Sequence, residues 1–169
     1  TEKALDCEVM VVSPGVPSTA ELVVKALEKK IPVISEIEAT IQFFKKPIIA
    51  ITGSNGKTTT TKLIGPIFSE LGKPSLVAGN VGIAISATEN QWSDCQYGIL
   101  EVSSFQLDHV DTFKPFVSIM MNITPDHLDR YKTFNHYARS KFRITENQTK
   151  DDVFIYNADD LVIAPYLNE

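Results

Sequence analysis

The chain has 169 residues, enough for one domain with a full hydrophobic core, or for one domain and part of another. Its 43% hydrophobic and 22% charged residues are typical of a soluble globular protein, and its net charge of −5 argues against a nucleic-acid partner, which requires a basic face. No apolar run is long enough to span a membrane and no signal peptide opens the chain, so we expect no membrane partner. Cys7 and Cys95 lack metal-binding spacing and are expected to stay reduced, as in the cytoplasm.

The segment before residue 47 predicts two strands and two helices. In order they are a strand at Val9–Val12, a helix at Ser18–Lys30, a strand at 32–34 and a helix at 35–44. Ser18 is predicted to be the N-cap of the first helix, with Glu21 completing a capping box. The loop Ser13-Pro14-Gly15 is either a tight turn alone or a loop that holds a substrate phosphate, and its spacing does not decide between them. We expect a domain boundary near residues 34–36.

The stretch Ile-Thr-Gly-Ser-Asn-Gly-Lys-Thr-Thr, from Ile51 to Thr59, joins an apolar strand at Pro47–Ile51 to a helix predicted for Thr59–Leu71. Glycines between a strand and a helix let backbone N–H groups converge on an anion, and the helix N-terminus adds positive potential. Lys57 would reach the terminal phosphates of a nucleotide, and the Thr58 hydroxyl would bind Mg²⁺. The full phosphate-loop motif has glycine at position 51, so a plain turn before a helix is the alternative, but the flanking strand and helix favour phosphate binding.

The rest of the chain keeps alternating between strands and helices. The predicted strands are Pro74–Ala78, Tyr97–Val102, Phe116–Asn122 and Val153–Tyr156, and the predicted helices are Ile83–Thr88, Phe105–Val110 and Thr133–Asn147, with a glycine turn at Gly79-Asn80-Val81-Gly82. The unbroken apolar run at Phe116–Asn122 is typical of a strand that is covered on both faces. This alternation predicts an α/β fold with a mostly parallel sheet and helices on both of its faces.

Polar residues follow several of these strands, and ligands of open α/β sheets bind at the carboxyl ends of strands. Glu101 ends an apolar strand, where a carboxylate suits Mg²⁺; a solvated strand end is the alternative, and the phosphate loop favours the metal. His127, which lies between Asp126 and Asp129, is a weak candidate for a metal or substrate contact. Lys141 taken alone is typical of a surface lysine on an amphipathic helix.

Four stretches occur in a characteristic order. They are Gly53-Ser54-Asn55-Gly56-Lys57-Thr58-Thr59, Gly79-Asn80-Val81-Gly82, Glu101-Val102-Ser103-Ser104-Phe105-Gln106-Leu107 and Asn122-Ile123-Thr124-Pro125-Asp126-His127-Leu128-Asp129. Together they resemble the Mur ligases, the ATP-dependent amide ligases of peptidoglycan precursor synthesis, whose shortened phosphate loop explains Ile51. The third stretch, with Ser13-Pro14-Gly15 and Ser35-Glu36-Ile37-Glu38, is similar to the branch of that family that adds D-glutamate to UDP-N-acetylmuramoyl-L-alanine.

The resemblance implies a role for each matching position. The residues implied to bind ATP are Gly53, Ser54, Asn55, Gly56, Lys57, Thr58 and Thr59. Thr58 and Glu101 would hold one Mg²⁺, and His127 would contact a second. Lys141 matches the family's carbamylated lysine, whose negative charge supports that second Mg²⁺. The resemblance therefore implies a functional lysine at this position and not a surface one. Lys57, His127 and Lys141 would then be the catalytic residues.

The substrate contacts implied by the resemblance lie on two other segments. Asn80, Ser103 and Gln106 would contact the UDP-muramoyl substrate, and Ser13, Pro14 and Gly15 would line its uridine-diphosphate site. Residues 1–35 would be the end of a Rossmann-like UDP-substrate domain, and 36–169 an incomplete, P-loop NTPase-like ATP-binding central domain. The family's C-terminal D-glutamate domain would lie outside this chain.

The implied enzyme is a cytoplasmic monomer that uses ATP, Mg²⁺, UDP-N-acetylmuramoyl-L-alanine and D-glutamate, and forms an acyl phosphate. Because the chain begins at Thr1 and enters a strand almost at once, we expect a piece of a longer protein that binds ATP weakly and does not ligate by itself. One alternative is another family member, such as folylpolyglutamate synthase. The others are a P-loop ATPase or phosphotransferase that makes no amide, and a nucleotide-binding module without catalysis.

Overall fold

The computed structural model describes residues 2–80, 82–127 and 129–167, so Val81 of the predicted glycine turn and Leu128 of the last motif lie outside the described residues. The strands are β1 Met10–Val12, β2 Val33–Ser35, β3 Ile48–Thr52, β4 Ser75–Gly79, β5 Tyr97–Glu101, β6 Val117–Met120 and β7 Val153–Tyr156. The α-helices are α1 Glu21–Glu28, α2 Glu36–Ile41, α3 Lys57–Glu70, α4 Ser104–Leu107 and α5 Phe134–Phe142. Short 3-10 helices cover Glu2–Leu5, Ile85–Gln91, Arg143–Thr145 and Ala164–Tyr166. None of the described helices is both long and apolar enough to cross a membrane.

The strands form two separate sheets. β1 and β2 make a parallel pair, and the other five strands follow the order β4-β5-β3-β6-β7. Every neighbouring pair in the larger sheet is parallel, which confirms the predicted α/β fold. β3 lies at the centre, with Ala50 opposite Leu100 of β5 on one side and Ser118 of β6 on the other. The carboxyl ends of β5 and β6 therefore flank the residues that follow β3.

Helices cover both faces of the five-stranded sheet, as predicted. On one face, Ile49 and Ile51 of β3 and Ile99 of β5 pack under Ile64 and Phe68 of α3. The other face bears the larger core, to which α2, α4 and α5 all contribute buried side chains. Burying these apolar surfaces stabilises the sheet and fixes each helix over the strands that it follows.

The first helix begins later than the predicted capping box. α1 starts at Glu21, its N-cap is Ala20, and no side chain caps it. The reason is Pro17, because its carbonyl oxygen accepts a hydrogen bond of 2.9 Å from the Ala20 N–H and closes a turn over the residues predicted to start the helix. The Ser18 hydroxyl is instead 3.3 Å from Nε2 of His109. The predicted capping box at Ser18 is therefore wrong.

Other element boundaries also differ from the prediction. α2 ends at Ile41, where the Phe43 N–H bonds to the Thr40 carbonyl oxygen, three residues back, in a tighter turn at 2.9 Å, and the Phe44 side chain enters the core. The last long helix is α-helical only to Phe142 and continues as a 3-10 turn. β6 is covered on both faces, as predicted, but it alternates between half-buried and buried residues, so the cover is less complete on one face. Its half-buried residues face α3, the side with the smaller core.

A buried carboxylate on α2 fastens the segment that follows α4. Glu38 is 3% exposed and accepts hydrogen bonds of 2.9–3.1 Å from the N–H groups of Asp111, Thr112 and Phe113. The Thr112 hydroxyl adds a fourth at 2.6 Å. Hydrogen bonds to a charged acceptor are stronger than neutral ones, and a buried charge needs them. Glu38 thereby holds in place the connection between α4 and β6.

Candidate functional site

The loop after β3 lies at the carboxyl edge of the five-stranded sheet, and two of its glycines have conformations that other residues avoid. Gly53 has φ +150°, and a Cβ there would lie 2.8 Å from the Cβ of Met121. Gly56 has φ +84° and is the N-cap of α3. No side chain caps this helix, so the amides of its first turn point toward the loop without a side-chain acceptor. This is the geometry that a phosphate needs at a helix N-terminus.

The loop is held in place by the residues that follow β6. The Ser54 N–H donates to the Asn122 carbonyl oxygen at 3.0 Å, and the Asn55 N–H donates to Oδ1 of Asn122 at 2.9 Å. The Asn122 amide returns a bond to the Asn55 carbonyl oxygen at 3.1 Å. The Ser54 hydroxyl both donates to the Thr124 carbonyl oxygen and accepts from its N–H, each at 2.9 Å. These hydrogen bonds fix the loop between β3 and α3 against the residues after β6.

Two lysines converge on one carbonyl group of this loop. Nζ of Lys57 donates to the carbonyl oxygens of Gly53 and Ser54 at 2.8 and 3.0 Å, and Nζ of Lys141 donates to that of Gly53 at 2.9 Å. Lys141 is only 2% exposed, which contradicts the surface-lysine alternative. Burial first, and then the nearby charge of Lys57, lower the pKa of Lys141 to about 7. Two cationic groups around one acceptor create a site that favours an anion.

Glu101, the last residue of β5, has neutral hydrogen-bond partners. It is 2% exposed, and its carboxylate accepts from the Thr58 hydroxyl at 2.6 Å and from the Asn80 amide at 3.3 Å. The approach of β4 to β5 requires glycine at position 79, because a Cβ there would lie 2.2 Å from the Glu101 carbonyl oxygen. The structure thus brings Asn80 and Glu101, which lie far apart in sequence, to Thr58, the residue after Lys57.

These oxygen atoms fit a magnesium ion that is shared with phosphates. The part of the chain that the structure describes contains no group of three or more His, Cys, Asp or Glu residues arranged to hold a metal. A site made only of protein ligands is therefore not what the geometry offers. Mg²⁺ commonly binds through one or two carboxylates together with substrate phosphates and water. The carboxylate of Glu101 and the hydroxyl of Thr58 are such a partial ligand set.

Tyr137 of α5 connects several of these groups and was not found from the sequence. It is fully buried, and its hydroxyl lies 2.9 Å from the Ser54 hydroxyl. Nζ of Lys141 lies 4.7 Å from the centre of its ring, within the range of a cation–π contact. The helical spacing of Tyr137 and Lys141, four residues apart, is the sequence signal that could have identified the pair.

His127 lies at the edge of this cluster. Its backbone has φ +52°, its side chain is 45% exposed, and its ring lies 4.8 Å from that of Phe105 and 6.3 Å from that of Tyr137. Asp126 accepts from the His127 N–H at 2.9 Å, and its other oxygen lies 3.5 Å from Nε2. The charge of Asp126 also acts on Lys141, where it opposes the larger effects of burial and Lys57 on the pKa. His127 thus borders the lysine pair through Tyr137 and Asp126.

The remaining predicted residues lie in three places. Ser103 and Gln106 form the capping box of α4 and are 8% and 2% exposed, so their side chains already bond to each other and to the backbone. Ser13 and Gly15 lie in an exposed turn after β1, and Pro14 between them is half-buried. The Pro14 carbonyl oxygen accepts from Nη1 of Arg130 at 3.3 Å, which links this turn to the loop that contains His127. Thr59 is exposed in the first turn of α3.

The chain is similar in sequence to a known family of ligases. A family model described as the Mur ligase middle domain matches residues 51–169. The chain is 50% identical over 166 residues to a UDP-N-acetylmuramoylalanine–D-glutamate ligase of Salinibacter ruber, covering 95% of this chain and 36% of that protein. It is 46% identical over 172 residues to the ligase of that name from Christiangramia forsetii, covering 99% of this chain and 38% of that protein. The chain therefore spans little more than a third of the length of these relatives.

Solved structures agree on the fold. A ligase described as acting on UDP-N-acetylmuramate and L-alanyl-γ-D-glutamyl-meso-diaminopimelate, from Neisseria meningitides, has a TM-score of 0.65 at 14% identity, covering 96% of this chain and 55% of that one. MurF from Acinetobacter baumannii has a TM-score of 0.56 at 25% identity, covering 74% and 29%. MurF from Thermotoga maritima, solved with ADP, has a TM-score of 0.59 at 16% identity, covering 95% and 46%. With the family model matching more than half of its residues, this chain belongs to the Mur ligase family.

Proposed function

We propose that the protein containing this chain is an ATP-dependent ligase that joins D-glutamate to UDP-N-acetylmuramoyl-L-alanine. The observation that carries the proposal is the convergence of Lys57, Lys141, Thr58 and Glu101 on the loop after β3. Relatives at 44–50% identity share the D-glutamate ligase name, which supports the choice among Mur ligases. Residues 1–35 would belong to the domain for the UDP-linked substrate, and 36–169 to the ATP-binding domain.

The chemical difficulty of this reaction is electrostatic. The substrate carboxylate must approach the γ-phosphate of ATP, and the two anions repel each other. Lys57 holds its positive charge at the loop, 2.8 Å from the Gly53 carbonyl oxygen, where it can turn to a phosphate with little movement. The uncapped first turn of α3 would bind phosphate oxygens through backbone N–H groups. Thr58 and Glu101 would hold Mg²⁺, which when bound neutralises phosphate charge and orients the triphosphate.

Two displacements complete the proposed reaction. A carboxylate oxygen of the alanyl substrate attacks the γ-phosphorus, the bond from phosphorus to the β,γ-bridging oxygen breaks, and ADP leaves. The neutral amine of D-glutamate then attacks the acyl carbon, loses a proton, and expels phosphate to leave an amide. Lys57 stabilises the charge that develops during the first displacement, which is the main catalytic device in phosphoryl transfer. Asn80, Ser103, Gln106, Ser13, Pro14 and Gly15 are assigned to substrate binding in this proposal.

Lys141 is proposed to be carbamylated and, with His127, to support a second Mg²⁺. Only a neutral amine attacks carbon dioxide, and the pKa of about 7 that burial and Lys57 impose on Lys141 makes the neutral form available near neutral pH. The product carbamate is an anion, so it would also relieve the repulsion between the two lysines. A Lys141→Ala enzyme should lose activity and recover part of it when short carboxylates are added. Absence of rescue, with a free amine at Lys141 in a high-resolution map, would contradict the carbamate.

The test of the proposed function is a substrate panel on the full-length protein. ADP release is measured with UDP-N-acetylmuramoyl-L-alanine and D-glutamate, and compared with folate and L-glutamate. We expect ADP release that requires both members of the first pair, with formation of the amide product. Turnover on the folate pair would instead indicate a folylpolyglutamate synthase. ATP hydrolysis that needs no amino acid would indicate an ATPase, and either result would overturn the proposal.

A further inference from the structure

A chain of contacts joins the turn after β1 to the loop that contains His127. Nη1 of Arg130 donates to the Pro14 carbonyl oxygen at 3.3 Å, although the two residues are 116 positions apart. The guanidinium carbon of Arg130 lies 3.9 Å from the centre of the Phe105 ring. The same ring also contacts the imidazole of His127, with the ring centres 4.8 Å apart and the planes at 63°, and stacks on Tyr131 with the ring centres 5.7 Å apart. Phe105 is therefore in contact with both Arg130 and His127.

The backbone reinforces this arrangement. The N–H groups of Arg130 and Tyr131 both donate to the carbonyl oxygen of His127, at 2.9 and 3.2 Å. His127 itself has φ +52°, a conformation that residues with a Cβ adopt only when their surroundings hold them in it. A stacked guanidinium is an effective restraint, because its planar group packs on an aromatic face while its N–H groups still bond in the ring plane. Lysine could not make both contacts in the same way.

From this geometry we propose that Arg130 is a positioning residue that couples the Ser13–Gly15 turn to His127 through the ring of Phe105. The coupling rests on the proposed function, in which the turn binds the UDP-linked substrate and His127 contacts Mg²⁺. In this proposal Arg130 acts through its contacts with the Pro14 carbonyl oxygen and the Phe105 ring. It sets where the turn lies relative to the imidazole, so that substrate and metal are presented to each other in one arrangement.

This coupling predicts a selective change in kinetics. Removal of the guanidinium loosens the turn and the imidazole, but leaves the hydrogen bonds among Ser54, Asn55 and Asn122 intact. In the full-length Arg130→Met enzyme we expect the KM for the UDP-linked substrate and the Mg²⁺ concentration for half-maximal rate each to rise about tenfold, as for other residues that orient a metal ligand. The KM for ATP should stay within about twofold of the unaltered enzyme. Arg130→Lys keeps the charge without the planar stack. Its KM for the UDP-linked substrate and its Mg²⁺ requirement should lie between those of the unaltered enzyme and Arg130→Met.

A measurement without substrate tests the same coupling. The imidazole carbon-bound protons of isotopically labelled full-length protein report on each histidine, and comparison with His127→Asn identifies the signal of His127. The Phe105 ring current acts on His127, so this signal should move in Arg130→Met and stay in place in Lys132→Met, the charge control on an exposed neighbour. Thermal unfolding of both variants verifies that they fold.

The two measurements separate the two proposals. A folded Arg130→Met protein with an unmoved His127 signal would overturn the coupling, whatever the substrate. A moved signal, together with the selective rise in the KM for the UDP-linked substrate, would support it. Equal rises in the KM values for ATP and the UDP-linked substrate would show a general structural defect and would also overturn it. If the unaltered enzyme fails the substrate panel, the NMR result still decides whether Arg130 positions His127.

Discussion

The two halves of the segment after β6 are held in different ways. Residues 122–124 are bound to the phosphate loop by a dense set of hydrogen bonds to Ser54 and Asn55. Asp126, His127, Asp129 and Arg130 are exposed or half-buried. Ring contacts with Phe105, a backbone hydrogen bond between Arg130 and His127 and one hydrogen bond to Pro14 hold this part. The difference indicates that the side proposed to bind nucleotide is held by many hydrogen bonds, whereas the side proposed to bind substrate depends on fewer contacts, several of them between rings.

The largest effect is expected at the loop after β3, which is held by many hydrogen bonds. Lys57→Ala removes the cation that lies 2.8 Å from the Gly53 carbonyl oxygen and 3.0 Å from that of Ser54. The kcat of ligation should fall by about 10²–10³-fold or more, the range for loss of one preorganised electrostatic contact to a transition state. Lys62→Ala, on the exposed face of the same helix, is the matched control and should be close to unaltered. Equal rates for the two variants would contradict the assigned role of Lys57.

The next effect concerns the shape of the phosphate loop. Gly53→Ala places a Cβ 2.8 Å from that of Met121 and 3.3 Å from backbone atoms of Asn122. Overpacking of this kind destabilises by about 1–3 kcal/mol, and nucleotide affinity should fall with it. Gly15→Ala is the control in the less constrained region, since nothing lies within 4 Å of its Cβ position.

Urea unfolding and a fluorescent nucleotide titration would measure both variants. A stable Gly53→Ala protein that binds nucleotide normally would show that the loop is not rigid, and the contrast between the two halves would be lost.

A smaller effect on stability is expected in the ring-held half. His127→Asn keeps a residue that tolerates φ +52° and removes an imidazole that is 45% exposed. The free energy of unfolding should change by less than about 0.5–1 kcal/mol, while the rate at limiting Mg²⁺ falls. Denaturant unfolding paired with a Mg²⁺ titration of ligation would test this. A large loss of stability would mean that His127 supports the fold and not the reaction.

The smallest effect is a pH dependence near the Ser13–Gly15 turn. Burial lowers the pKa of His109, whose Nε2 lies 3.3 Å from the Ser18 hydroxyl. The unfolded chain therefore binds this proton more readily than the folded one, so stability is lost as pH falls through 6.5 toward the folded pKa. His109→Gln should lose less stability than the unaltered protein between pH 7.5 and pH 5.5 in urea unfolding. An equal loss in both proteins would exclude His109 as the source.

The sequence predicted the alternating fold and the glycine loop between β3 and α3 because both are local patterns: apolar strands, glycines at set positions and a following helix. The parallel sheet then follows from general rules, and it places Glu101 beside Thr58 as expected. The Ser18 capping box failed because Pro17 closes a turn first, and local residue preference does not show which of two competing turns forms.

The contacts between distant segments could not be predicted in this way. Tyr137 reaches Ser54, and Glu38 reaches the segment at Asp111, only once the sheet has brought their helices together. The link between Arg130 and Pro14 spans most of the chain and has no sequence pattern. The burial of Lys141 could not be predicted from spacing either, because the pattern of its own helix is typical of an amphipathic surface helix. Such contacts depend on packing, which spacing along one chain does not determine.

The central claim is that the cations and magnesium ligands at the carboxyl edge of the sheet join a carboxylate to the γ-phosphate of ATP. The most direct test supplies the full-length enzyme with UDP-N-acetylmuramoyl-L-alanine labelled with ¹⁸O in its terminal carboxylate, and examines the released phosphate by ³¹P NMR. An acyl phosphate transfers one labelled oxygen to each phosphate, so we predict labelled phosphate in step with the amide product. Amide formation with unlabelled phosphate would contradict the account.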